Sequence, residues 1–158
     1  MPTQAIKEAG PAVAHREIVI SRTQKYVKAP GEDLNSIMVG IMQKKGNIHL
    51  HIGKPLTSEE IAAAALCDKN DRYQLIRNAV DARVIQGYKL WSNNYIAYDI
   101  LKNTDKYAAN YTEEDKAKFV AYMEQQLGTV EPEINRDELK EVFLGIYANP
   151  VVAKESLQ

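Results

Sequence analysis

The sequence has little of what identifies a disulfide-bonded, membrane-spanning or nucleic-acid-binding protein. Its 158 residues include one cysteine, Cys67, so neither an internal disulfide nor a thiolate metal cluster can form. Twenty basic residues against twenty-one acidic ones give a net charge of −1, and we therefore expect no nucleic-acid partner. The longest apolar candidate, 61–66, is too short for a transmembrane helix, and the opening residues lack the apolar core of a secretory signal. We expect a chain that is soluble or sits at a membrane without spanning it.

Strand signals are also scarce, with one clear exception. The stretch GNIHLHIGKP (46–55) alternates three aliphatic side chains with two histidines, between glycines. A period of two residues is typical of a strand with one apolar face, so we predict a short β-strand at 47–52. A strand needs neighbours to pair its main-chain groups, and the remaining chain offers almost none.

Helical periodicity dominates the rest of the sequence. Spacing and capping residues predict helices over 32–44, 57–66, 71–86, 95–101, 112–127 and 135–147. We expect the apolar stripes of the first and third helices to cover the apolar face of the strand. Asn149-Pro150 is expected to close the last helix, because proline disfavours the helical conformation of the residue before it.

The predicted fold class is mainly α with one short strand, in a single domain spanning 1–158. Residues 1–25 form a poorly defined N-terminal segment in this interpretation. Val13, Arg16, Glu17 and Ile20 favour a helix there, although Ile18 and Ile20 also alternate as in a strand.

Two histidines on one face of the predicted strand raise the question of a metal site. His49 and His51 would project together, and paired imidazoles hold metals in several proteins. Such a site needs a third ligand, and His15, the remaining histidine, has no ligand-like spacing from them. We therefore predict no metal site and interpret the pair as the polar face of a strand covered by helices.

The stretch YKLWSNNYIAYD (88–99) concentrates aromatic and amide side chains. Such a cluster could line a pocket or contact lipid headgroups, which makes candidates of Trp91, Asn93, Asn94, Tyr95 and Tyr98. The favoured interpretation is that the aromatic residues belong to the core or its rim, held by their polar tips. Nothing in the sequence matches a nucleophile elbow, a phosphate loop or a metal signature. We assign no catalytic residue and no cofactor.

The segment GNIHLHIGKPL (46–56) resembles the last sheet strand of the glycerolipid acyltransferases, the family that includes 1-acylglycerol-3-phosphate acyltransferase. Its flanks are similar to the C-terminal half of a bacterial branch of that family. The similar segments are KYVKAPGEDLNSIMVGI (25–41), YKLWSNNYIAYDIL (88–101), DKYAANYTEEDKAKF (105–119) and IYANPV (146–151). The resemblance covers residues 26–151 in the same order. It implies the C-terminal, largely helical part of an α/β acyltransferase fold.

The resemblance also implies what this chain lacks. Catalysis in that family uses a histidine followed five positions later by an aspartate, which orients the imidazole as it deprotonates the acceptor hydroxyl. Five positions after the three histidines stand Ile20, Lys54 and Leu56, and no Glu-Gly-Thr-Arg type segment for the acceptor phosphate is present. The family places both motifs before the strand, so the sequence resembles only the later half.

The expected function is therefore the C-terminal portion of an enzyme that transfers a fatty acyl group to a lysophospholipid in phospholipid biosynthesis, inactive alone. Whether this chain is itself an enzyme stays open. The alternative is a non-catalytic helical module that binds a protein or a lipid. Expected partners are the missing N-terminal half, or a second copy through strand pairing, with acyl donor and lysophospholipid bound only by the complete enzyme. The expected location is cytoplasmic, with peripheral association at the inner membrane as an option.

Overall fold

The computed structural model describes residues 21–128 and 135–157, except 23, 26, 29 and 43–45. The N-terminal segment up to residue 20, where the sequence favours a helix, lies outside these residues. The described chain is mainly helical, as predicted. Its helices are α1 (Glu32–Met42), α2 (Ser58–Ala65), α3 (Lys69–Gly87), α4 (Ser92–Lys102), α5 (Glu113–Gly128) and α6 (Arg136–Glu155), with a 3₁₀ turn at Ala108–Asn110. No helix among the described residues is both long and apolar enough to cross a bilayer.

The predicted strand is not observed. Residues 48–57 form neither helix nor strand, and no strand occurs in the described part of the chain. A strand requires a hydrogen-bonded neighbour, and no main-chain group of residues 48–52 bonds to any part of the chain that the structure describes. The α/β context that the family resemblance implies is therefore not observed in the residues that the structure describes.

The chain divides into two compact units. The larger unit holds the described residues up to Gly46 together with Leu90–Val152, and the smaller holds Asn47–Lys89 with the residues from Ala153. The core of the larger unit comes from α4, α5 and α6. Its buried members are Ile96, Ala97, Phe119, Met123, Leu127, Leu139, Phe143, Leu144, Tyr147 and Ala148.

Aromatic packing lies at the centre of this core. The Tyr147 ring meets the Phe119 ring edge-on at 5.3 Å between centroids and lies 5.2 Å from the Phe143 ring. Such tilted and edge-on contacts are favourable geometries for aromatic rings. Burial raises the pKa of the Tyr147 hydroxyl, with a further contribution from Tyr122.

Helix α6 continues through Pro150, so the prediction that Asn149-Pro150 closes the last helix is wrong. Proline removes one intrahelical hydrogen bond, which normally ends or kinks a helix. Here Ala148 and Val151, on either side of the proline, are 0% and 1% exposed. Their burial outweighs the lost hydrogen bond and keeps the chain helical.

The smaller unit is built around a helical hairpin of α2 and α3 that buries little. Ala64 is the buried residue of α2, and α3, which is described throughout, has none. Polar contacts hold the hairpin instead. Arg83 donates to both carboxylate oxygens of Glu60 at 2.8 and 2.7 Å, and Arg72 donates to the carbonyls of Ala65 and Cys67 at 3.1 and 3.3 Å.

The predicted burial of two apolar stripes is wrong for this chain. On α1 the stripe is exposed by 48–79%; its members are Leu34, Ile37, Met38, Ile41 and Met42. On α3, Tyr73, Val80 and Val84 are exposed by 64%, 41% and 58%, whereas Ile76 of the same stripe is half-buried. Helical periodicity identified the apolar faces correctly, but it says nothing about whether another element is present to cover them.

These exposures predict opposite consequences for two substitutions. Phe143→Ala should lower the free energy of unfolding by about 3–5 kcal/mol, because it empties a fully buried ring site. Ile37→Asp should change it by less than about 1 kcal/mol, because the side chain is 56% exposed. Urea unfolding followed by circular dichroism measures both. An equal loss of unfolding free energy from the two substitutions would show that the α1 stripe is covered in solution.

Candidate functional site

The aromatic and amide candidates lie at the start of α4 and in the residue before it. Asn94 is 2% exposed, and both ends of its carboxamide are hydrogen-bonded within the larger unit. Its oxygen accepts from the Trp91 N–H at 2.9 Å, and its nitrogen donates to the Tyr147 carbonyl at 2.8 Å. This side chain caps the first turn of α4 and ties it to α6, which indicates a structural role.

Asn93 differs from its neighbour. Its residue is half-buried, and its carboxamide oxygen has no hydrogen-bond partner in the described part of the structure. A buried acceptor without a donor is a place where a ligand or a water molecule gains affinity. Among the five sequence candidates, Asn93 is the one with a buried polar atom that lacks a partner in the described residues.

Tyr95 and Tyr98 form a cluster with Tyr107, which follows α4 in the connection to α5. The Tyr107 ring lies 5.0 Å from the Tyr95 ring and 5.2 Å from the Tyr98 ring, the latter edge-on. The Lys106 ammonium sits 5.3 Å from the Tyr107 ring centroid and 5.8 Å from that of Tyr98. These are cation–π distances, so a cation of the chain itself already occupies the faces of both rings.

Asp99 organises the connection that carries this cluster, and sequence reasoning did not single it out. Asp99 is 4% exposed. Its carboxylate accepts hydrogen bonds from the Tyr107 N–H at 3.0 Å and from the Tyr111 hydroxyl at 2.9 Å. The available signal was an aspartate among apolar positions of a helix, since Ile96 lies three residues before it and Ile100 directly after it. Its contacts indicate a structural role in holding the loop.

The two histidines lie in the smaller unit. His49 Nε2 is 3.0 Å from the carbonyl oxygen of Gly87, and a Cβ placed on Gly87 would come within 1.9 Å of Cδ2 of His51. Both imidazoles therefore rest on the end of α3. No group of three potential ligands within the described ranges could hold a metal ion, and His15 lies outside those ranges.

Chemically, the arrangement supports binding more readily than catalysis. Among the described residues, the raised pKa values belong to Tyr88, Tyr111 and Tyr147, and burial is the first cause for each. Hydrogen bonds at helix starts lower the pKa values of Glu59 and Asp115, and the hydrogen bond from Arg83 is the first cause for Glu60. None of these pairs a base with an orienting group and an open face for substrate.

The Tyr111–Asp99 contact predicts a measurable titration. Burial and the hydrogen bond to Asp99 raise the pKa of Tyr111 to about 12. Because the folded chain holds this proton more tightly than the unfolded chain, the contact stabilises the fold below about pH 10 and is lost as the pH rises towards 12. In the Asp99→Asn variant the pKa of Tyr111 should fall.

Ring-carbon NMR of a tyrosine-labelled chain follows this titration, with Tyr111→Phe to identify the resonance. Tyr122→Phe is the matched control, because it removes a hydroxyl outside this contact. An unchanged Tyr111 titration in Asp99→Asn would show that the carboxylate does not set its pKa.

Comparison of the chain with protein-family models, with curated proteins and with solved structures found no match in any of the three. The function therefore has to be argued from the residues and their geometry.

Proposed function

We propose that this chain is the C-terminal, largely helical part of a glycerolipid acyltransferase that transfers a fatty acyl group to a lysophospholipid. The observation that carries the proposal is the ordered resemblance of residues 26–151, which includes the strand-like segment 46–56. The fold is compatible with it, because the described chain is helical and leaves that segment without a sheet. If this chain is one part of a larger α/β fold, segment 46–56 has no sheet to join when the other part is absent.

The exposed apolar side chains give the proposal further support. Aliphatic residues normally leave water when a complete domain folds, and single exposed ones need no explanation. Here all five members of the α1 stripe are exposed, by 48–79%. Contiguous open apolar surface of this kind marks an interaction site. In this proposal the α1 stripe is where the N-terminal half of the enzyme, with its catalytic histidine and aspartate, would lie.

The same surface favours the second candidate function, a non-catalytic module that binds a protein or a lipid. Flotation with vesicles of phosphatidylethanolamine and phosphatidylglycerol tests the lipid form, which would also account for a peripheral location at the inner membrane. Ile37→Asp should abolish flotation if the α1 stripe contacts the bilayer. Phe119→Leu, a conservative change in the core, is the control that leaves this stripe intact. Absence of flotation by the unsubstituted chain excludes the lipid form.

The isolated chain should show no acyl transfer from acyl-CoA or acyl carrier protein to lysophosphatidic acid. The reason is that no histidine has an aspartate five positions later to orient it. A radiolabelled acyl donor detects turnover at low levels. Turnover that survives purification and is abolished by His49→Ala or His51→Ala would overturn this part of the proposal.

The family assignment itself is tested in the DNA that precedes the coding sequence. The proposal expects an upstream segment with a histidine followed five positions later by an aspartate. Joining that segment to the chain should produce acyl transfer, and replacing its histidine with alanine should remove it. A joined protein without activity towards any lysophospholipid would contradict the assignment.

A further inference from the structure

Residues 48–52 present aliphatic side chains and unpaired main chain together. Ile48, Leu50 and Ile52 are exposed by 76%, 83% and 87%. Within the described chain, no N–H or C=O of these five residues forms a main-chain hydrogen bond. A segment of this kind is a template for a β-strand, because strand pairing satisfies the main chain and brings alternate side chains into contact.

The histidines between them hold the segment in place. His49 contacts the Gly87 carbonyl at 3.0 Å, and the His51 ring lies against the Gly87 α-carbon so closely that no Cβ would fit. Alternate side chains thus contact the end of α3 while the others face solvent. The segment is anchored through its polar residues, and its aliphatic residues remain available.

The sequence of this segment suggests which strand it pairs with. Ile-His-Leu-His-Ile reads the same in both directions about Leu50. When two identical palindromic strands pair antiparallel about Leu50, every residue meets an equivalent type: Leu50 meets Leu50 of the second copy, and Ile48 meets Ile52 of the second copy. Two-fold symmetry of this kind is the commonest in homo-oligomers. We propose that residues 48–52 pair antiparallel with the same residues of a second copy of this chain, about a two-fold axis that passes between the two Leu50 residues.

Other occupants fit these observations less well. A lipid surface would accept the aliphatic side chains but would leave the main-chain N–H and C=O groups without partners. A strand of unrelated sequence would form the main-chain hydrogen bonds, but it would not give the matched side-chain pairs that the palindrome gives with a second copy. Five paired residues form a small contact, below the roughly 1,000 Å² of a stable interface, so the dimer is weak and depends on concentration.

Cysteine cross-linking in the full chain tests both the pairing and its register. Cys67→Ser removes the single native thiol, and Leu50→Cys, Ile48→Cys or Ile52→Cys then introduces one. Cβ atoms of directly opposite residues lie about 4.5–5.5 Å apart, close to disulfide geometry. In this register residue 48 lies opposite residue 52 of the second copy. Residue 48 and residue 48 of the second copy are therefore four residues apart along the strand direction, about 14 Å. Leu50→Cys should therefore form a disulfide dimer by itself, and Ile48→Cys and Ile52→Cys should not.

A mixture of Ile48→Cys and Ile52→Cys should give the mixed dimer, which intact mass identifies when one variant is labelled with ¹⁵N. Leu66→Cys in the same Cys67→Ser background is the control for random collision, because Leu66 is 91% exposed and outside the segment. We expect Leu50→Cys to cross-link at least tenfold faster than this control. Circular dichroism confirms that each variant keeps its helices.

Each other outcome overturns the proposal. Equal self-cross-linking at positions 48, 50 and 52 would indicate a parallel, in-register pair. Cross-linking at all positions no faster than Leu66→Cys would show that the segment does not pair with a second copy, and that another strand or a lipid surface is its occupant.

Discussion

The larger unit depends on Tyr147, where polar and apolar contacts meet at one residue. Its ring packs on Phe119 and Phe143 at the centre of the core, and its carbonyl accepts the buried amide of Asn94. The hydrogen bond matters because the Asn94 amide would be costly to bury without a partner. By accepting the hydrogen bond from Asn94, Tyr147 of α6 fixes the start of α4. The position of α4 then sets the position of Asp99 and of the loop that Asp99 holds, so the aromatic cluster around Tyr107 also depends on Tyr147.

The smaller unit is stabilised by a different kind of interaction. One alanine of its two helices is buried, and the polar contacts between them are the Glu60–Arg83 pair and the hydrogen bond from Arg72 to the carbonyl of Ala65 at the end of α2. Partly exposed ion pairs contribute little free energy each. Such a unit keeps open aliphatic side chains, and these side chains carry the proposed pairing of residues 48–52 with a second copy.

Prediction from the sequence succeeded where local chemistry decides the structure. Thr57 and Glu60 form the capping box expected of them, and Asn135 caps the start of α6 through its side chain. These signals act over three residues and need no tertiary contact. The same reasoning failed at Pro150, because the burial of Ala148 and Val151 comes from distant residues that no local pattern reports. It also failed to single out Asp99, whose partners Tyr107 and Tyr111 are brought to it by the loop.

What the sequence by itself determined was the helical content, the capping residues, the faces on which apolar side chains fall and the lack of a histidine followed five positions later by an aspartate. These follow from spacing along the chain. Only the tertiary structure decided which apolar faces are used: those of α4, α5 and α6 close around Tyr147, whereas those of α1, α3 and residues 48–52 stay in contact with water. Periodicity marks a face as apolar, but burial requires a complementary surface, and whether the chain supplies one depends on all of its elements together.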